Sequence, residues 1–238
     1  MIINSQKNIR IIGVNEVASQ LHAVRFDKGS ASPFIPDSYS QNILGNFTHL
    51  LRGKINSYPA DYGYPDLLDK IISIEKHVGE RMVTKDKICV TNGVLSGLFF
   101  TLATILNKKD TVLINNLAFE GFSSLLELLN LQRKEVDFNN FTEIEHACKH
   151  YQPKAIIINS PENPSGKIYT KEFFSFLNDL AKKYQILIIS DEVNNQNIYA
   201  PHIFVPPSLY IDSSYLISVN SFSKNYFLPG LRVGWIIG

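Results

Sequence analysis

The chain has 238 residues, of which 45% are hydrophobic and 19% charged, a composition that suits a folded domain with a full core rather than a disordered segment. A formal net charge of +1 lacks the basic footprint that nucleic acid or an anionic membrane surface calls for, so a small molecule is the expected partner. Two well-separated cysteines, Cys89 and Cys148, and the lack of a charged-then-apolar leader argue against a disulfide framework and a secretory signal, which favours the cytoplasm.

Taken in chain order, residues 1–57 lack a strand–helix rhythm, and the turn-rich stretch Gly29-Ser30-Ala31-Ser32-Pro33-Phe34-Ile35-Pro36 marks them as an arm or lead-in segment. Residues 58–238 read as the main domain. Pro65 to His77 carries Leu67, Leu68, Ile71, Ile72 and Ile74 on one helical face. From Ile88 onward, short apolar runs alternate with longer amphipathic ones. Ile88–Thr91, Thr111–Ile114, Ala155–Ile158, Ile186–Ile189 and Tyr215–Val219 are the predicted strands. Leu95–Leu106, Phe122–Leu131 and Lys171–Tyr184 are predicted helices, the last with Thr170 as N-cap and acidic Glu172 in its first turn. Continuously apolar runs such as Ala155-Ile156-Ile157-Ile158 suit a strand buried on both faces of a parallel sheet. The expected fold is therefore α/β, a mostly parallel central sheet covered by helices.

Gly97–Leu106, the longest mostly apolar stretch, is about half of the roughly 20 residues a bilayer span needs, so no membrane span is expected. His146 and His150 have helical i,i+4 spacing, but the segment around them mixes charge and polarity like a solvated helix face and supplies no third ligand. No metal is assigned.

In open α/β sheets ligands bind beyond the carboxyl ends of the strands. Three ends are rich in polar residues. The run at 155–158 opens into Asn159-Ser160-Pro161-Glu162-Asn163-Pro164-Ser165-Gly166, that at 186–189 into Ser190-Asp191-Glu192, and that at 215–219 into Asn220-Ser221-Phe222-Ser223-Lys224. A carboxylate, an amide and an amine can thus converge on one pocket.

These segments resemble the motifs of the fold type I pyridoxal-phosphate (PLP) enzymes, in particular the class I and II aminotransferases. Four matches fall in the family's order: the turn 163–166, Asp191-Glu192-Val193, Ser221-Phe222-Ser223-Lys224, and Pro229-Gly230-Leu231-Arg232-Val233-Gly234, with Arg232 eight residues after Lys224. Tyr58, five residues before Gly63, and Thr91-Asn92-Gly93 opening a helix extend the resemblance to roughly residues 26–238. Taken singly, Lys224 reads as a surface lysine, Asp191 as a cap, Arg232 as an ion-pair partner and Phe119 as a core aromatic. The combination reverses each reading.

The resemblance implies pyridoxal 5'-phosphate as cofactor, an amino acid and a 2-oxo acid as substrates, and a homodimer. It gives each residue a role that its chemistry suits. A lysine forms a Schiff base with an aldehyde once its amine has lost a proton, which partial desolvation beside a cation favours, and Lys224 is the candidate. The cofactor accepts electrons only while its pyridine nitrogen stays protonated, and the carboxylate of Asp191 suits that charge. Asn163 resembles the residue that donates to the phenolic oxygen of the ring. Arg232 offers a planar fork to phosphate oxygens, Ser221 and Ser223 offer hydroxyls, and Gly93 lets the helix start approach with the N–H groups of Val94 and Leu95. Phe119 resembles the aromatic residue that stacks on the ring, and Tyr58 the one that reaches a neighbouring subunit's phosphate.

The chain departs from the family pattern in two places. Three residues after Asp191 the family usually has a tyrosine, where this chain has the shorter Asn194, with Tyr199 as a nearby substitute. Relatives also continue beyond the strand-like run Val233–Gly238 into a C-terminal small domain that supplies the arginine gripping the substrate carboxylate. The expectation is thus a large domain at 58–238 without the small domain, binding PLP weakly and transaminating slowly. Rival readings are a PLP-dependent lyase, decarboxylase or synthase, and a PLP-binding module or fragment without turnover.

Overall fold

The structure is a computed structural model that describes residues 58–238, together with helical positions 38, 41–43 and 45–47; the rest of the expected arm at 1–57 lies outside the described residues. The first described helix of the main domain, α1 (Pro65–His77), takes Pro65 in its first turn, where the missing N–H has no intrahelical role. Strand β1 (Ile88–Thr91) leads through Gly93 into α2 (Val94–Ile105). Then come β2 (Thr111–Asn115), α3 (Glu120–Leu128), β3 (Gln132–Val136), α4 (Phe141–Tyr151) and β4 (Ala155–Asn159). The chain continues through α5 (Lys171–Tyr184), β5 (Leu187–Asp191), β6 (Leu216–Ser221), a one-turn helix α6 (Phe222–Asn225) and β7 (Gly234–Ile237).

The seven strands form one sheet in the order β1-β7-β6-β5-β4-β2-β3. β7 runs antiparallel to both β1 and β6, and all other pairs are parallel. Side chains alternate between the two faces, so each strand feeds two cores. Leu113, Ile156, Ile158 and Ile188 pack with Ile144 and Ala147 of α4 and Phe173, Phe174 and Leu177 of α5. Their neighbours Val112, Ile114, Ile157, Ile189 and Val219 pack on the other face with Leu98 and Leu102 of α2 and Phe122 and Leu126 of α3. A third cluster joins α1 to Ile88, Trp235 and Ile237. Ile236, between those last two, packs with α2, so α1 lies on the face opposite α2.

The predicted bounds of α1, β1 and α5 coincide with the observed ones, and Thr170 caps α5 by accepting from the Phe173 N–H. α2, β2, β4, β5 and β6 are shifted by one or two residues at an end, and two elements differ more. The helix expected over 122–131 runs from Glu120 to Leu128, because Asn130 takes a left-handed conformation (φ 57°) that turns Leu131 into the next strand. That strand, β3, is not among the expected ones. Among the described residues it is an edge strand, with the sequence Gln-Arg-Lys-Glu-Val and β2 as its one partner, so it carries the charges that protect an edge in place of an apolar run. No helix among the described residues is long and apolar enough to cross a membrane.

Candidate cofactor-binding site

The polar residues at the carboxyl edge lie in a continuous register. Asn159 stands beside Asp191 and Asp191 beside Val219; two residues further along β6, Ser221 pairs with Gly234, which pairs with Thr91. Alternation puts Asn159, Asp191 and Ser221 on the face that α2 and α3 cover. One strand spacing across and two residues along separate Asp191 from Ser221, roughly 8 Å between their Cα atoms.

At one end of this row is a corner suited to an anion. Thr91 Oγ1 donates to the Gly93 carbonyl at 3.0 Å, fixing the turn into α2. Gly93 caps α2 with φ 90° and no side-chain bond, so the first-turn N–H groups, those of Val94 and Leu95 among them, have no intrahelical acceptor. Arg232 comes from the other side, itself left-handed at φ 53°, and donates through Nη1 to the Pro229 carbonyl at 2.9 Å and through Nη2 to the Asn92 carbonyl at 3.3 Å. A Cβ on residue 93 would lie 2.6 Å from that Nη2, and one on residue 234 would lie 2.8 Å from the Cα of Gly93. Two glycines therefore let a guanidinium, a helix N-terminus and β7 meet without side chains between them. Among the described residues no carboxylate pairs with Arg232, and its charge adds to that of the helix start.

Ser221 ends β6 and caps α6 by accepting from the Ser223 N–H at 3.2 Å. This leaves Ser223 and Lys224 half-buried in the single turn that follows. Asn225 ties that turn to the segment after Asp191: its Nδ2 donates to Asn195 Oδ1 at 2.7 Å, and its Oδ1 accepts from the Gln196 N–H at 3.2 Å. The turn that carries Lys224 is thus tied to the segment that follows Asp191, although 33 positions separate the two residues in the sequence (224 minus 191).

Asp191 is 4% exposed. Burial pushes its carboxyl up to about 7, against the pull of the Val193 N–H that donates to Oδ1 at 3.0 Å, and the neighbouring Glu192 adds to the rise. Among the described residues no cation is among these influences. The folded value lies above the ordinary one of about 3.9, so the stability this group contributes is complete below that pH and is lost as pH rises toward 7. Thermal melts of the cofactor-free protein are therefore expected to fall from pH 4 to 7 more steeply for the wild type than for Asp191→Asn. Parallel curves would mean that the carboxyl is not held in its neutral form.

The remaining predicted site residues are less closely grouped. Asn163 is exposed, in a turn whose N–H is held by Asn159 Oδ1 at 2.8 Å. Phe119, half-buried, opens α3 with its ring edge-on to Phe122 at 5.7 Å. Asn194 is half-buried, and its carbonyl accepts from the Asn197 N–H at 2.8 Å. Tyr199 is 84% exposed, so its ring is not packed beside Asn194 as a substitute. Tyr58 is fully exposed. Asn159, Asn195 and Asn225, which hold the turns together, carry no signal in the sequence that separates them from ordinary loop asparagines.

A sheet of this order, with a lysine, a buried carboxylate and an anion corner at its carboxyl edge, defines a fold type I, PLP-dependent large domain. The model of the aminotransferase class I and II family matches residues 27–238, and the chain belongs to that family. It is 31% identical over 240 aligned residues to a probable aspartate aminotransferase of Methanocaldococcus jannaschii, an alignment spanning 99% of this chain and 63% of that protein. A Methanococcus jannaschii structure described as similar in its active site to kynurenine aminotransferases superposes with a TM-score of 0.81 at 26% identity, over 100% of this chain and 62% of that one. The aspartate aminotransferase of Thermotoga maritima shares the fold, with a TM-score of 0.85 at 23% identity over 99% of this chain and 64% of that one. The chain thus spans somewhat under two thirds of the length of these relatives.

The cofactor of this family is pyridoxal phosphate, and the residues fit it at two points. The anion corner leaves Arg232 and the first turn of α2 without an acidic partner among the described residues, as a phosphate group requires. Among the described residues no cation pairs with the buried carboxyl of Asp191, which suits a protonated ring nitrogen as counter-ion.

Proposed function

We propose that residues 58–238 form the cofactor-binding domain of an aminotransferase that moves an amino group between an amino acid and a 2-oxo acid. The uncompensated carboxyl of Asp191 beside the Lys224 turn carries this reading. Arg232, Ser221, Ser223, Gly93 and the N–H groups of Val94 and Leu95 would hold the phosphate. Asp191 would hold the ring nitrogen, Asn163 and Asn194 would face the phenolic oxygen, and Phe119 would pack on the ring. When bound, the cofactor supplies an aldehyde carbon and a cationic ring that takes up the electron pair left at a substrate carbon. Lys224 would anchor it and would carry the proton at Nζ from the substrate α-carbon to the former aldehyde carbon. Ser221 and Asn225 fix where that amine stands.

Residues 1–57 serve in this reading as the lead-in segment, and the working form is a cytoplasmic homodimer. Full exposure of Tyr58 is consistent with a partner's site as its destination. Nucleic acid and membrane have no part in it.

The test is single-turnover conversion of a 2-oxo acid by the protein loaded with pyridoxamine phosphate. Asp191→Ala should slow this more than Asn194→Ala, because the first removes a bond to a charged group, worth about 1.5–3 kcal/mol, and the second a neutral one, worth about 0.5–1.5 kcal/mol. Equal losses would remove Asp191 from the ring-nitrogen role. A wild type extended to the length of these relatives that converts none of several 2-oxo acids would sink the aminotransferase reading.

A further inference from the structure

We propose that Glu162 is a positioning residue whose buried carboxylate fixes the turn presenting Asn163 to the cofactor. This inference rests on the cofactor reading above.

Glu162 is 5% exposed, and three side chains donate to it. Oε1 accepts from Asn115 Nδ2 at 2.5 Å and from the Tyr169 hydroxyl at 2.7 Å, and Oε2 accepts from the Ser165 hydroxyl at 2.5 Å. Its backbone closes the same turn: the N–H donates to the Lys167 carbonyl at 2.8 Å, and the carbonyl accepts from the Gly166 N–H at 2.7 Å. Two of the donors are themselves anchored. Asn115 ends β2 and accepts from the Phe138 N–H at 3.2 Å, while Tyr169 stacks on Phe173 with ring centroids 4.2 Å apart.

Removing a carboxylate from water is costly unless every lone pair finds a donor. Among the described residues no ion pair forms with Glu162, and the nearby Lys167 spends its ammonium on Asn139 Oδ1 at 2.6 Å and on the Tyr169 ring at 4.5 Å. Lys167 and Glu162 attract each other at longer range, but every side chain that donates a hydrogen bond to the carboxylate is neutral, and such directional donors define a position more narrowly than a mobile cation does.

Asn163 follows directly and is held from the other side by Asn159 Oδ1, while Asn159 Nδ2 donates to the Asp191 carbonyl at 3.0 Å. Two clamps thus meet on one residue. Asn159 ties the turn to the strand carrying Asp191, and Glu162 ties it to β2 and to the start of α5.

The test uses Glu162→Gln and Tyr169→Phe in the whole chain. In the first variant the new side chain would meet Asn115 Nδ2 and two hydroxyls with one oxygen and an amide. The hydroxyls can turn to accept, but Asn115 cannot flip without abandoning the Phe138 N–H. Two readouts separate positioning from plain stability: hydrogen exchange over 160–167 in the cofactor-free protein, and the acid–base midpoint of the visible band of the cofactor-loaded protein. In Glu162→Gln, exchange of the Asn163 and Gly166 N–H groups should rise about tenfold, equivalent to about 1.4 kcal/mol. The midpoint should rise by about half a unit, roughly a threefold change in proton affinity, because a phenolic oxygen that loses its donor keeps more negative charge beside the titrating nitrogen.

Tyr169→Phe keeps the ring stacking and removes one donor, so both shifts should be smaller and in the same direction. If Glu162→Gln does not fold, Tyr169→Phe decides alone. A lower melting temperature with an unmoved midpoint would make Glu162 a purely structural residue and overturn the proposal. A wild type that forms no visible band would sink the cofactor reading and this inference together; a normal wild-type band with unmoved variants would sink this inference only.

Discussion

Lys224→Ala is expected to abolish the borohydride-stable link between the chain and pyridoxal phosphate while leaving part of the non-covalent affinity. The contacts assigned to the phosphate and ring come from Arg232, the start of α2 and Asp191, and none depends on the amine. Gly93 and Gly234 let Arg232 stand over the helix start whatever occupies position 224, because the close approaches there are to the Arg232 guanidinium and to the backbone of Asn220 and Gly93. Equilibrium dialysis with pyridoxal phosphate, followed by reduction and mass measurement, reads both quantities. Wild-type protein should show bound and reducible cofactor, and the variant bound cofactor alone. Undiminished labelling of the variant would move the anchor to another lysine, and complete loss of binding would mean that the phosphate corner contributes little.

Arg81→Met is expected to destabilise the cofactor-free protein by about 3–5 kcal/mol, the usual result of leaving buried charges without their partner. Arg81 is nearly buried and donates to three elements: through Nε to Glu75 Oε2 of α1 at 2.6 Å, through Nη2 to Glu192 Oε2 at 2.7 Å, and through Nη1 to the Ser218 hydroxyl of β6 at 2.7 Å. Trp235 Nε1 donates to the other oxygen of Glu75 at 2.8 Å. Burial works against the charge of Arg81, but Glu192 and Glu75 outweigh it and hold its pKa above the ordinary value. Burial likewise pushes Glu192 up, with Arg81 pulling it down and Glu75 adding to the rise. Methionine fills much of the arginine's volume, so the loss reads mainly the charge and not a cavity. The network lies on the sheet face opposite Asp191 and grips the peptide carrying it from behind, so cofactor affinity should fall along with stability. Urea unfolding with two probes measures the first. A change below about 1 kcal/mol would put the triad in the class of exposed ion pairs, contrary to its burial.

The site motifs were legible because each couples a rigid backbone need to a chemical one. Gly93 must be glycine for a φ of 90° and for the approach of Arg232, so its place before a helix carries information in a single sequence. Ala155–Ile158 declared a strand buried on two faces through its continuous apolar run, and the polar residues after it declared the ligand edge. What was not legible depends on distant pairing. β3 is hidden because an edge strand needs only Val136 inward and can take Arg133, Lys134 and Glu135 elsewhere. The insertion of β7 between β1 and β6 cannot be read from local patterning, since four residues ending in Trp235-Ile236-Ile237 suit either strand direction. Arg81 looks like a solvated charge until Glu75 and Glu192, 6 and 111 positions away, are brought to it. Glu162 looks like a loop carboxylate until Asn115 and Tyr169 close around it.

The most direct test of the central claim is to load the wild-type chain with pyridoxal phosphate, reduce it with borohydride and map the labelled peptide. The account predicts a single label on Lys224, in the peptide that follows Ser221 and Ser223. Label on Lys167, whose burial lowers its pKa against the pull of Glu162 and Asp137, or on Lys54, would contradict the assignment of the site to the ends of β5 and β6.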